Sequence, residues 1–337
     1  MKKQLFSLCV GAALGASLLL SGCQSGTTSE AAQPTAAPTV EYQWDFATKT
    51  TDIDDLKAEC DQKGTVVQMD YETPLYASDP DQTVTKTMYV YLPYGYDETQ
   101  QYSILYLMHG GGESAEYWLA GERWGPTTCN VLDNMIAQGL CDPFIVVTPT
   151  FYPPTATGET ASGESAESAD PAASTDLTVV FAEELRNNVI PTVESTYSTY
   201  AGKDVSEENL IATRDHRAFA GFSMGSMTSI HSALETNLDM ISWVGSFSGA
   251  KTEVEDFKAN LESDKLKDYK VNFWYNGNGK GDIAHDEHDE FCHGVLEAMP
   301  DRFTDGENFA WIDLRDGTHS YASWLADLYN CMLVFFK

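Results

Sequence analysis

Two glycines flank a serine in Gly221-Phe222-Ser223-Met224-Gly225, a G-x-S-x-G pattern. The stretch Arg217 to Phe222 before it reads as a strand and Ser226 to Leu234 after it as a helix. A strand turning at once into a helix is cramped, and glycine on either side lets the turn project the Ser223 hydroxyl at the sheet's edge. Serine is a poor nucleophile near neutral pH, so such a hydroxyl needs a base, itself oriented by a carboxylate. His319, in Asp316-Gly317-Thr318-His319, stands between the last strand-like run, Asn308 to Leu314, and a closing helix over Tyr321 to Phe336. That place suits a general base. The other histidines suit it less: His231 falls within the helix after the serine, and His285, His288 and His293 crowd one acidic segment.

The carboxylate should follow the strand read over Val271 to Tyr275, where Asp282, Asp286 and Asp289 are available. Asp282 lies in a Gly-rich turn, Gly279-Lys280-Gly281-Asp282, where an aspartate also serves simply as a turn cap. A developing oxyanion needs backbone N–H donors that can come close. Two are expected, Gly111 in His109-Gly110-Gly111-Gly112 and Met224 directly after the serine. Trp118 and Trp124 follow that glycine loop and Tyr152 follows a strand end, and the three are expected to form an apolar wall for a phenolic ring or a sugar. His285 to Glu290 is rich in His, Asp and Glu, but it lacks H-E-x-x-H or comparable ligand spacing, so no metal site is expected. The serine chemistry calls for no cofactor.

These residues need a scaffold in which strand ends converge. The chain alternates strand-like and helix-like stretches, which implies an α/β fold with a mostly parallel central sheet and helices on both faces. Val66 to Tyr71 and Val84 to Leu92 read as an antiparallel opening, and Ser103 to Met108 and Pro143 to Thr148 as buried parallel strands. Val131 to Gln138 reads as a helix between them. Phe181, Leu185, Val189 and Val193 mark one apolar helical face, which Pro191 should kink or locally break. Val254 to Leu266 and His288 to Met299 read as helices and Ile241 to Phe247 as a strand. Thr155 to Ser174, poor in large apolar residues, reads as an excursion inside the domain.

The first 22 residues carry Lys2, Lys3 and an apolar run from Leu5 to Leu20, which reads as an export signal rather than a permanent span. Leu20-Ser21-Gly22-Cys23 has the form of a lipobox, so Cys23 is expected to carry the lipid of an outward-facing anchor in a bacterial membrane. Residues 23–41 read as a flexible tether, since they offer almost nothing to bury, and residues 42–337 as the catalytic domain. The formal net charge of −31 argues against nucleic-acid binding and against strongly anionic substrates. Beyond Cys9 and Cys23 remain Cys60, Cys129, Cys141, Cys292 and Cys331, an odd set whose pairing spacing does not reveal.

The chain resembles carbohydrate esterase family 1, which holds feruloyl and acetylxylan esterases, with esterase D and mycolyltransferases more distant. The likeness runs from about Thr83 to Lys337. It rests on Tyr106 to Gly112, on Ile190-Pro191-Thr192-Val193-Glu194-Ser195-Thr196-Tyr197, on Arg217 to Gly225, and on His319 with Trp324 five residues later. The resemblance implies an α/β-hydrolase fold. It also favours Asp282 as the acid, because Gly279-Lys280-Gly281-Asp282-Ile283-Ala284 looks like the family's G-x-x-D-I-A. The acidic stretch Asp282 to Glu290 and the excursion Thr155 to Ser174 depart from the family pattern. The implied function is hydrolysis of feruloyl or acetyl esters on an ester-substituted polysaccharide of xylan type. An acyltransferase on the same residues, or a surface glycan-binding lipoprotein without turnover, are the other readings.

Overall fold

In the strand Ser103–Met108 (β3) every side chain is buried, yet the residues alternate between two cores. Ile104, Tyr106 and Met108 pack into the core on one face of the sheet. Leu105 and Leu107 pack into the core on the other. A run apolar on both faces requires helices on both faces, since each side must be removed from water. The computed structural model describes residues 40–154 and 176–337. The expected signal, lipobox Cys23, most of the tether and the Thr155 to Ser174 excursion lie outside the described residues.

Among the described residues the sheet has eight strands in the order β1-β2-β4-β3-β5-β6-β7-β8. Thr65–Leu75 (β1) and Asp79–Leu92 (β2) form the antiparallel opening, and β2 pairs antiparallel with Phe144–Thr148 (β4). From β4 onward all pairings are parallel, through β3, Arg217–Phe222 (β5), Trp243–Phe247 (β6), Phe273–Gly279 (β7) and Phe309–Leu314 (β8). Parallel strands bring their carboxyl ends to one edge, the usual place for a site in an open α/β sheet.

Several elements differ from expectation. The first core helix spans Gly125–Ala137 and so begins before Val131, with Pro126 in its first turn, where a missing N–H costs nothing. At Pro191 the helix is locally distorted but not ended. The α-helix Leu177–Glu184 passes into a π-helical stretch, Leu185–Val189, and resumes as Ile190–Thr196. The widened turn lies directly before the proline, where the ring would crowd carbonyls and an N–H is lost. The helix after Ser223 starts at Met224 and turns π-helical over Ser229–Leu234. β7 begins two residues later than read and runs on to Gly279, because Asn276 and Asn278 are buried in the sheet despite their polarity.

Polar residues in two of the family-like stretches meet inside the core. Arg217 and Glu194 form an ion pair in which each side chain is 1% exposed. Thr199 also donates to Glu194 at 2.8 Å, and Arg217 donates to the Met240 carbonyl at 3.1 Å and to Thr213 at 2.6 Å. A buried pair offsets its desolvation only when its remaining donors and acceptors are met in this way. The network ties the Ile190–Thr196 helix to the start of the strand that carries Ser223.

Candidate active site

Ser223 leaves β5 with φ 54° and ψ −119°, a left-handed conformation for a residue that is not glycine. Its N–H is held by the Phe247 carbonyl at 2.8 Å. Both neighbouring glycines are sterically required. A Cβ on Gly221 would stand 2.6 Å from the Gly225 carbonyl oxygen, and one on Gly225 would stand 2.5 Å from that of His109. Such contacts are with backbone, which cannot swing aside. The spacing of G-x-S-x-G is thus the sterics of a helix packed against β3 and the end of β5.

Asp282 and His319 come from the turns after β7 and β8. These turns touch because two glycines meet: a Cβ on Gly279 would lie 2.3 Å from the Gly317 carbonyl carbon. Gly281 N–H then donates to the Gly317 carbonyl at 2.9 Å, and Lys280 N–H to that of Leu314 at 3.0 Å. The close approach aligns the three side chains. His319 Nε2 is 3.2 Å from Ser223 Oγ, and His319 Nδ1 is 2.8 Å from Asp282 Oδ1. The Asp282 side chain is fully buried, whereas that of His319 is 27% exposed, so an incoming group can reach the imidazole.

Burial by itself would raise the Asp282 pKa. Hydrogen bonds from His319 and the Ala284 N–H, helped by the nearby Ser248 hydroxyl, outweigh it and hold the carboxyl below its ordinary value. The Ala284 N–H donates at 2.8 Å, so Asp282 does cap its turn and faces His319 at once. Asp286, by contrast, is fully exposed and contacts His285. The other histidines diverge: His285 Nε2 meets Asp313 at 2.8 Å, His288 is buried against Asn276, and His293 is exposed beside Asp289.

Gly111 packs against the side chain of Met224, the residue after the serine. A Cβ on Gly111 would come 2.9 Å from Met224 Sδ. Among the described residues neither backbone N–H has a protein acceptor, and Met224 opens its helix, where N–H groups are left free. Two unpaired donors beside a serine with an oriented base are what acyl transfer through a tetrahedral oxyanion requires.

Of the three expected wall residues, Trp118 and Tyr152 are buried, whereas Trp124 is partly exposed. Trp118 is wholly buried, and its indole N–H donates to the Met108 carbonyl at 3.1 Å, pinning the end of β3. Trp124 stacks on Tyr321 at 4.1 Å and has the Arg123 guanidinium 4.4 Å from its ring centre. Tyr152 is buried, and its hydroxyl accepts the Gly112 N–H at 3.0 Å. These rings support the loops of the site, because each has found a partner for its polar edge or its flat face. Beneath the glycine loop, His109 bridges the Gly110 carbonyl and Thr150 Oγ1, both at 2.8 Å. Burial pushes the His109 pKa down to about 4, so it remains neutral in that bridge.

Sequence reasoning missed Ser248, which follows β6 in Ser246-Phe247-Ser248-Gly249, and gave Trp324 no role in the site. The signal was a serine before a glycine at another strand end, and it is weak without knowing that β6 lies beside β5.

Residues 84–333 match the Esterase family. The chain is 39% identical over 165 residues to Endo-1,4-beta-xylanase Y of Acetivibrio thermocellus, a match covering 49% of this chain and 13% of that protein. It is 31% identical over 178 residues to an Endo-1,4-beta-xylanase/feruloyl esterase of Xylanibacter ruminicola, covering 51% of this chain and 21% of that protein. The matched stretches are thus a minor part of these curated relatives' length. Among solved structures, it is similar to a serine-to-alanine mutant of the feruloyl esterase module from Clostridium thermocellum complexed with sinapinate. That likeness has a TM-score of 0.70 and 28% identity, over 89% of this chain and 96% of the other. A CE1 ferulic acid esterase from Anaeromyces mucronatus in complex with ferulic acid has a TM-score of 0.62 and 19% identity, over 84% and 95% of the two chains. The shared architecture is the α/β-hydrolase fold.

Proposed function

Because this chain belongs to the Esterase family, we propose that it is an exported serine carboxylesterase that cleaves feruloyl or related hydroxycinnamoyl esters from xylan-type glycans. Acetyl esters are the second choice. The observation that carries the reading is the hydrogen-bond chain from Ser223 through His319 to buried Asp282, set beside the free N–H groups of Gly111 and Met224.

Ser223 Oγ attacks the ester carbonyl while His319 Nε2 takes its proton, and Asp282 stabilises the imidazolium that forms. The Gly111 and Met224 N–H groups hold the carbonyl oxygen as it becomes an oxyanion. His319 returns the proton to the glycan oxygen as the C–O bond breaks, leaving the acyl group on Ser223. Water, deprotonated by His319, then releases the acid and restores the serine.

The choice of acyl group is supported by the 28% likeness to a feruloyl esterase module complexed with sinapinate, itself a hydroxycinnamate. A formal charge of −31 fits a neutral ester better than an anionic one. Purified protein should release ferulate from both methyl ferulate and feruloylated arabinoxylan, read by chromatography of the free acid. Release of acetate from acetylated xylan with both feruloyl substrates untouched would transfer the assignment to acetyl esters.

The anchor belongs to the same reading. Cys23 in Leu20-Ser21-Gly22-Cys23 carries the lipid and holds the catalytic domain, residues 42–337, at the outer face of a bacterial membrane through the tether. Wild-type protein expressed in a bacterial host should take up labelled fatty acid and sediment with membranes, and Cys23→Ser should do neither. Equal labelling of the two proteins would remove the anchor.

A further inference from the structure

Ser248 stands one residue beyond β6 and is buried, with φ 58°, again a left-handed conformation that only a well-determined environment holds in a non-glycine residue. Its N–H donates to the Gly277 carbonyl on β7 at 3.0 Å. Its neighbour Phe247 supplies the carbonyl that holds the Ser223 N–H. Ser248 therefore lies between the strand of the nucleophile and the strand that leads to Asp282.

The Trp324 indole N–H donates to Ser248 Oγ at 2.8 Å. An indole N–H is a donor only, so it occupies an acceptor position of the hydroxyl and leaves the hydroxyl proton for another partner. Asp282 Oδ1 already receives His319 Nδ1 and the Ala284 N–H. Asp282 Oδ2 is buried and has no hydrogen bond of full geometry, although the Ser248 hydroxyl is close enough to help lower the Asp282 pKa. A buried carboxylate oxygen without a donor is costly, and Ser248, tied to β7 through Gly277 and to Trp324 through its Oγ, carries an uncommitted hydroxyl proton.

We propose that Ser248 is the positioning residue for the catalytic acid: with Trp324 filling its acceptor side, its hydroxyl donates to Asp282 Oδ2 and fixes the carboxylate plane toward His319. Trp324 completes the arrangement from the other side. Its ring stacks on Phe222, the residue before the nucleophile, at 3.8 Å and 16°. It also meets the His319 ring edge-on at 5.1 Å and 87°. One indole thus touches His319 itself, the residue before Ser223 and the Ser248 hydroxyl. The inference rests on the serine mechanism proposed above but not on the identity of the ester.

The test is the rate at which a fluorophosphonate labels Ser223, a reaction in which the serine oxygen displaces fluoride and His319 takes the proton. It needs the nucleophile and its base but no natural ester. Ser248→Gly removes the hydroxyl at a φ that glycine adopts freely, so the fold and its thermal midpoint should be kept. The maximal labelling rate should fall about tenfold to a hundredfold, the range for one hydrogen bond to a charged group. The concentration for half-maximal rate should stay unchanged. Trp324→Phe keeps the stacking and removes the donor, and should slow labelling less. Combined with Ser248→Gly it should add nothing further, since both act through one hydroxyl. A Ser248→Gly protein that labels as fast as wild type, or effects of the two substitutions that multiply, would overturn the role of Ser248. A wild-type protein that does not label at all would instead remove the serine mechanism itself.

Discussion

Ser223→Ala and His319→Ala are each expected to lower kcat/KM for methyl ferulate by about 10⁴- to 10⁶-fold, and the double variant by no more than either alone. The reason is that the two groups act as one unit. Ser223 Oγ and His319 Nε2 are 3.2 Å apart, so removing the base leaves the hydroxyl protonated, and removing the hydroxyl leaves the base nothing to activate. A residual rate above that in water should survive both substitutions, because the N–H groups of Gly111 and Met224 still receive the oxyanion. Neither variant should unfold: alanine retains the backbone of Ser223, and the N–H bond to the Phe247 carbonyl is independent of the side chain. Stopped-assay kinetics with circular dichroism on the same samples decide it. Losses that multiply in the double variant, or a Ser223→Ala protein with half its activity, would place the chemistry elsewhere.

Asp282→Asn should reduce kcat by about 10⁴-fold with little change in KM, whereas Asp286→Asn should stay within about twofold of wild type. Asp282 accepts from His319 Nδ1 at 2.8 Å and so keeps that proton on Nδ1, which leaves Nε2 as the base toward Ser223. An asparagine there can turn its NH₂ to the ring and stabilise the other tautomer, which has no lone pair for the serine. Asp286 has an exposed side chain with solvent on every side but that of His285, so its charge is screened and its loss unfelt. Equal losses at the two positions, or a larger one at Asp286, would show that the acid comes from the exposed helix instead.

How these residues come together separates what local chemistry can say from what it cannot. The turn that carries Ser223 was legible because it is tied to a chain-local constraint. Gly221 and Gly225 are demanded by contacts shorter than 3 Å to backbone, and such demands leave a spacing in the chain. The buried strands were legible for the same kind of reason: β3 and β5 are buried on both faces and almost wholly apolar, and only a sheet covered twice can use such runs.

The acid was open among Asp282, Asp286 and Asp289 on residue chemistry alone, with only the family resemblance favouring the first. Its position depends on Gly279 meeting Gly317, residues from different loops whose contact no local pattern records. The burial of Trp118 and Tyr152 was hidden for the complementary reason. A tryptophan near a strand end is equally able to line a cleft or to close a core, and the decision lay with distant partners: the Met108 carbonyl for Trp118, Tyr321 for Trp124 and the Gly112 N–H for Tyr152. Ser248 and Trp324, 76 positions apart, meet only because β6 lies beside β7 and the last helix packs across both. Residue types, the glycine spacing and strand polarity were determined by the sequence itself, because they follow from sterics and burial within a few residues. Which carboxylate faces the histidine, and which aromatics face solvent, was decided by tertiary structure alone, because those depend on contacts between segments that the chain order leaves far apart.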